Sequence, residues 1–279
     1  MNMRRRLSVL VLLTVSICSL YGCKSKNHEA VDLSSIHTEA AQETMAAETE
    51  KQPAVQVAET TAAKKETAAA AHISSQIQNW SPEDNNNISI QYPVISNMND
   101  SSKEEAVNKL LLANAISFCD ALDADAAKAM TVDITCSVES LDRNRVTVVY
   151  EGTYVTDGGA YPVNLFYTNT VDLQQVKSLG INDYADAYTM AGYVMSDDVE
   201  FYQADAQLTE SLKEYRSKQS IEYYTELFNQ ADFPLTTDGG DILFPESFSY
   251  MNKSVLYCSI PVPHALGDYA IVCIPIDGK

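Results

Sequence analysis

Apolar residues fall into three regimes along the 279 residues. Leu7 to Leu20 is a nearly continuous apolar run behind Arg4-Arg5-Arg6, residues 24 to about 84 hold almost no large apolar side chains, and from Asn85 onward the spacing becomes periodic. Ile88-Ser89-Ile90-Gln91-Tyr92 alternates with period two and meets Pro93, which predicts a strand ending there. Val107, Leu110, Leu111, Phe118 and Leu122 recur on one helical face, predicting a helix over about 102–122. Ser101 with Glu104, and Ser102 with Glu105, both fit a capping box at its start. Strands are expected near 130–138, 145–155 and 162–173, and the glycines of the Asp157-Gly158-Gly159 turn can take positive φ. Helical patterns cover roughly 182–195 and 206–228, and two final strands, 254–262 and 269–276, flank Pro263 to Asp268. This grouping predicts an α+β domain, an antiparallel β-sheet with helices packed on it.

The first regime reads as an export leader: a basic start, and an apolar run too short for a comfortable membrane span. Leu20-Tyr21-Gly22-Cys23 resembles the lipobox of bacterial lipoproteins, with Gly22 as the small residue before the cut and Cys23 as the thiol that takes lipid. Tyr21 is bulkier than the residue usual at that place. The resemblance implies a signal peptide over 1–22, lipidation of Cys23, and an extracytoplasmic chain anchored to the cell membrane. The alternative is an ordinary cleaved signal. Residues 23–84, rich in Ala, Thr and Glu, read as a disordered tether, a coil of roughly 45 Å end to end. The folded domain is expected over 85–279.

Charge narrows the partners. Cleavage before Cys23 leaves 16 of the 19 basic residues against 38 acidic ones. The domain alone carries 28 acids and 11 bases. Nucleic acid and anionic lipid headgroups are repelled by such a surface, while basic proteins and cations are attracted. Solubility is the plainer account of the same acidity. Four cysteines lie in the domain, Cys119, Cys136, Cys258 and Cys273, and an even count in an exported chain permits two disulfides. Cys258 with Cys273 across the final hairpin, and Cys119 with Cys136, are candidate pairs. Buried free thiols are the alternative.

Three stretches resemble, in order, the RsiV-like extracellular family, found in lysozyme-sensing anti-sigma factors and as the non-catalytic N-terminal domain of peptidoglycan deacetylases. They are Ile88 to Ile95 with Val107-Asn108-Lys109, then Gly158-Gly159-Ala160-Tyr161-Pro162 running on to Leu173, Leu179 and Asp183, and finally His264-Ala265-Leu266-Gly267-Asp268. The family commonly has His where this chain has Tyr161. The resemblance implies an outward-facing binding module. With six residues before the apolar run and an end at Lys279, neither the anti-sigma segment nor the deacetylase domain is expected to accompany it.

Three of the four histidines, His28, His37 and His72, fall in the tether, so a histidine mechanism would depend on His264. No Gly-x-Ser-x-Gly elbow, phosphate loop or His-Glu-x-x-His is present, and no cofactor or metal is expected. Asp197-Asp198 with Glu200 reads as a solvated acidic turn. Sixteen tyrosines against one tryptophan suit either a contact surface or half-buried strand positions. The candidate ligand-binding residues are Tyr154, Asp157, Gly158, Gly159, Tyr161, His264 and Asp268. The leading expectation is a lipid-anchored, non-enzymatic domain that binds peptidoglycan or a basic envelope protein such as a lysozyme. The alternatives are an envelope hydrolase or esterase using His264 with Asp268, and a structural lipoprotein contacting a membrane partner.

Overall fold

The computed structural model describes residues 72–276, Asp157 excepted. The leader, Cys23 and the expected tether up to residue 71 lie outside the described residues. Along the chain come β1 (Ser74–Trp80), β2 (Ile88–Ser96), α1 (Ser101–Asp120), α2 (Ala124–Ala129), β3 (Thr131–Leu141), β4 (Arg145–Val155), β5 (Val163–Asp172) and β6 (Lys177–Leu179). There follow α3 (Ala187–Met195), β7 (Glu200–Phe201), α4 (Ala206–Arg216), α5 (Ile221–Asn229), β8 (Leu235–Thr236), β9 (Ile242–Leu243), β10 (Ser249–Asn252), β11 (Val255–Pro261) and β12 (Tyr269–Pro275).

The class is α+β, with two main sheets where one was expected. The first is six-stranded in sequence order, β1 to β6, and the second is four-stranded, β10-β11-β12-β7. Every pairing is antiparallel except β2 with β3, which run parallel over Ile88–Ile90 and Val132–Ile134. A parallel step needs a long crossover, and α1 with α2 supplies it.

Strand β1 corrects the expected boundary at Asn85. Its residues are mostly polar and exposed, as an edge strand allows, so no apolar alternation announced it. It pairs along its whole length with β2, from Ser74–Ser96 to Trp80–Ile90. Nor does Pro93 end β2, which runs on to Ser96. Beyond Ile90, β2 and β3 part company, and Asn108 of α1 takes the place of a strand. Its side chain accepts from Ile95 N at 2.7 Å and donates to Ile95 O at 2.8 Å. Residue 93 points its nitrogen to the same side as Ile95, so the missing proline N–H subtracts nothing from the β1–β2 ladder.

Helix α1 starts from a different cap than expected. Asp100 accepts from Ser102 N and Lys103 N, while Glu104 reaches back to Met98 N at 2.9 Å. Val107, Leu111, Ala115 and Phe118 bury the face turned to the six-stranded sheet. There Tyr150 stacks on Tyr167, centroids 4.5 Å apart, and the Tyr167 hydroxyl donates to Ala115 O at 2.6 Å. The opposite face of β5 meets the second sheet. Phe166 stacks on Tyr269 at 5.1 Å, and Thr168 Oγ1 donates to Ser249 O at 2.6 Å. A second core, including Leu256, Cys258, Ile260, Val272 and Ile274 with Met190, Val194, Tyr224 and Phe228, lies between the second sheet and the later helices.

The expected helix over 206–228 is two helices, because Ser220 caps a new start by accepting from Tyr223 N. Arg216, 7 % exposed, ends the first of them by donating to Val194 O and Ser196 O, carbonyls at the C-terminus of α3 where a cation is favoured.

All four domain cysteines are free. In the β11–β12 register Cys258 stands opposite Val272 and Cys273 opposite Tyr257. Directly opposed residues share a face, so these two thiols point to opposite sides of the sheet and the proposed bridge is excluded. Cys119 and Cys136 are likewise unbridged, Cys136 standing opposite Tyr150 in the β3–β4 ladder. Burial pushes the thiols of Cys119, Cys136 and Cys273 up to about 11, helped by Asp120 at the first and Glu200 at the last.

Candidate functional site

Two connections that are a hundred residues apart in sequence meet at one end of the six-stranded sheet. One is the β4–β5 turn, the other the β11–β12 loop. They meet because β4 ends, and β5 and β12 both begin, at that end, and Phe166 stacked on Tyr269 fixes the alignment.

In the β11–β12 loop, residues His264–Leu266 form one short 3-10 turn that brings His264 over Asp268. Imidazole Nδ1 lies 2.9 Å from Asp268 Oδ1 and 3.1 Å from Oδ2. Gly267 and Asp268 both take the left-handed conformation, with φ of 104° and 70°. Glycine does so freely, and aspartate tolerates it better than most residues. The carboxylate of Asp268 also accepts from Asn164 N at 2.8 Å and from Asn164 Nδ2 at 3.1 Å. Asn164 opens β5, so Asp268 ties the loop to the sheet. Its side chain is 12 % exposed, against 56 % for His264. Buried anchor and exposed imidazole are thus separated within one pair, and Nε2 has no protein partner among the described residues.

The β4–β5 turn contributes the other half. Gly158 has φ of 71°, and Gly159 N donates to Thr156 O at 2.9 Å. Only Gly158 uses the positive φ expected of both glycines. Tyr161 is 72 % exposed and its ring centroid lies 6.2 Å from that of His264. Tyr154 is different in kind. Its ring packs on Phe118 at 5.1 Å, and burial, with a smaller contribution from the charge of Asp268, raises its hydroxyl pKa. It belongs to the face of the sheet that packs on α1. Asp157 lies outside the described residues.

Of the expected site residues, Tyr161, His264 and Asp268 are therefore brought together; Gly158 and Gly159 lie in the turn that leads to Tyr161, and Tyr154 packs on Phe118 instead. Asn164 was missed. Its only sequence signal is a polar residue beside a Gly-rich turn, which says nothing about a carboxylate 104 positions away. The chemistry available is an aromatic ring, an oriented imidazole and polar backbone in an exposed ridge.

No family model matches the sequence, and no curated protein matches it. Among solved structures, a crystal structure of a DUF3298-family member from Bacteroides fragilis is similar at a TM-score of 0.41 and 12% identity, covering 73% of this chain and 89% of that one.

Proposed function

We propose that the chain is a lipid-anchored, non-enzymatic extracytoplasmic protein whose domain binds a cell-envelope ligand, either peptidoglycan or a basic protein such as a lysozyme. The observation that carries this reading is the ridge formed by Tyr161 and His264. Both rings are largely exposed, yet the imidazole is held in place through Asp268 and Asn164. Holding an exposed imidazole in place beside an exposed aromatic ring lowers the ordering cost of binding, which is how contact surfaces gain affinity. The RsiV-like resemblance supports an outward-facing binding role, and 28 acids against 11 bases favour a basic partner.

Retention of the full chain on purified cell wall and on immobilised lysozyme, at low and moderate salt, tests the reading. Retention that survives moderate salt and is lost in Tyr161→Ala is the expected result. Absence from both supports removes the proposal, and retention that vanishes with salt alone reduces it to bulk charge. Cys23→Ala is expected to release the protein to the medium, whereas membrane retention would contradict the anchor.

The His264–Asp268 pair also favours a second reading. A carboxylate that orients an imidazole makes two of the three members of a hydrolytic triad, with Nε2 as the general base. Turnover of wall substrates that is unchanged in His264→Ala would dispose of it.

A further inference from the structure

The far end of the six-stranded sheet holds a cavity of about 590 Å³ where the described chain begins, at His72, beside the start of α1 and the β3–β4 turn. That end is opposite the ridge, because β4 begins at Arg145 beside the cavity and ends at Val155 beside the ridge. Eleven residues of strand separate them by roughly 35 Å.

Lys103 and Arg143 both line this cavity, and neither has a carboxylate within 4.0 Å among the described residues. Asp100 and Asp142 line the cavity as well, each with one carboxylate oxygen engaged by backbone amides. Asp100 accepts from Ser102 N and Lys103 N, and Asp142 accepts from Asn144 N and Arg145 N. The Lys103 ammonium is also held in place, and the Arg143 backbone is tied to the same glutamine. Lys103 Nζ donates to Gln174 O at 3.0 Å, and Gln174 Nε2 donates to Arg143 O at 2.8 Å, so one glutamine ties both walls together. Around them the lining carries the side-chain amides of Asn97, Asn144 and Gln174.

We infer that this cavity is a second ligand site, distinct from the ridge, for a small ligand that carries a carboxylate on an amide- or hydroxyl-rich body. Lys103 and Arg143 neutralise the carboxylate, Arg143 with a planar fork suited to its two oxygens. The amide side chains serve the hydrogen-bonding groups of the rest of the molecule, and the volume falls in the range of small-ligand sites. The α1 N-terminus is not the anion site, since Asp100 already occupies its amides. The choice of a wall fragment as one probe rests on the extracytoplasmic reading; the cavity itself does not.

Calorimetric titration of the full chain in detergent tests this with three probes: N-acetyl-trialanine with a free C-terminus, the same peptide as its C-terminal amide, and a soluble disaccharide tetrapeptide. The free acid is expected to bind saturably at one site, the amide at least about tenfold more weakly. Arg143→Gln and Lys103→Gln should each weaken the free acid by about tenfold, the loss of one charge-assisted contact. Both cations are on the surface, and an unchanged thermal midpoint will show that the variants fold. If no probe saturates, if acid and amide bind equally, or if the two variants bind as wild type does, the assignment is overturned. Binding of the tripeptide without the disaccharide tetrapeptide upholds the cavity and counts against peptidoglycan as the ligand of the chain.

Discussion

Asp232 is a buried carboxylate that joins three segments of the domain, and its titration gives the most quantitative test of the structure. Its Oδ2 accepts from Ile181 N at 2.6 Å and Ser249 Oγ at 2.8 Å, and its Oδ1 accepts from Ser249 N. It thereby joins the loop after α5 to β10 and to the segment after β6. Burial pushes its pKa up, the three donors pull it down, and Asp183 adds a smaller upward push; burial prevails and carries it from 3.8 to about 6. The folded state then holds the proton more tightly than the unfolded chain. This group's contribution to stability is greatest below pH 3.8 and declines as pH rises through about 6. The full decline is about 3 kcal/mol, at 1.36 kcal/mol for each pH unit of displacement. Asp232→Asn keeps the shape and removes the titration. Urea unfolding of both proteins from pH 4 to 8, with wild type minus variant plotted against pH, cancels every other titrating group to first order. The difference should fall by about 2–3 kcal/mol across that range. A difference that rises with pH would mean that the three donors outweigh burial, and a flat one that Asp232 does not titrate there. Either result would show that burial does not hold the proton on Asp232.

The remaining predictions concern the sheet and the thiols. A Cβ at Gly152 would lie 2.0 Å from Asp133 O and 2.7 Å from Ile134 Cα. Gly152→Ala must therefore force β3 and β4 apart, and should cost about 3 kcal/mol in denaturant unfolding; a neutral result would put the register of this pair in error. Asn108→Ala leaves both backbone groups of Ile95 unpaired beside buried residues and should cost about 2 kcal/mol, read as a lowered thermal midpoint. Asn108→Asp should not rescue it, because a carboxylate cannot donate to Ile95 O. With thiol pKa values pushed up to about 11, only about one in a thousand of Cys119, Cys136 and Cys273 is thiolate at pH 8. A thiol reagent should label the four domain cysteines slowly in the native protein and fast in urea. Fast native labelling would show them to be exposed, and fewer than four in urea would reveal a bridge.

Local pattern carried much of this fold. The faces of α1 and β2, the strands β3, β4 and β5, and the final hairpin were legible because burial of one face imposes a period of 3.6 or 2 on apolar residues. Elements that bury little left no such trace. β1 is a polar edge strand held by its backbone, and β7, β8 and β9 are two residues each, too short for any period. The gap between α4 and α5 was hidden for a related reason: Leu208, Leu212 and Tyr215 continue a helical face right up to the break, and only the side chain of Ser220 marks the restart.

The candidate site divides along the same line. His264 and Asp268 could be paired from sequence, since four residues with a glycine between them make one tight turn. That this turn lies against Tyr161, and that Asn164 locks Asp268, depends on two sheets meeting through Phe166 and Tyr269. The thiols show the point in reverse. Sequence placed Cys258 and Cys273 on neighbouring strands, but a register that differs by one residue decides which face each side chain takes, and the register of the assembled sheet sends them to opposite faces. Composition and periodicity along one chain determined the longer elements that bury a face, the α+β class and the acidic surface. Tertiary structure alone decided which loops share a ridge, which thiols stay apart and where Lys103 and Arg143 face a common cavity, because those are distances between segments that no local pattern encodes.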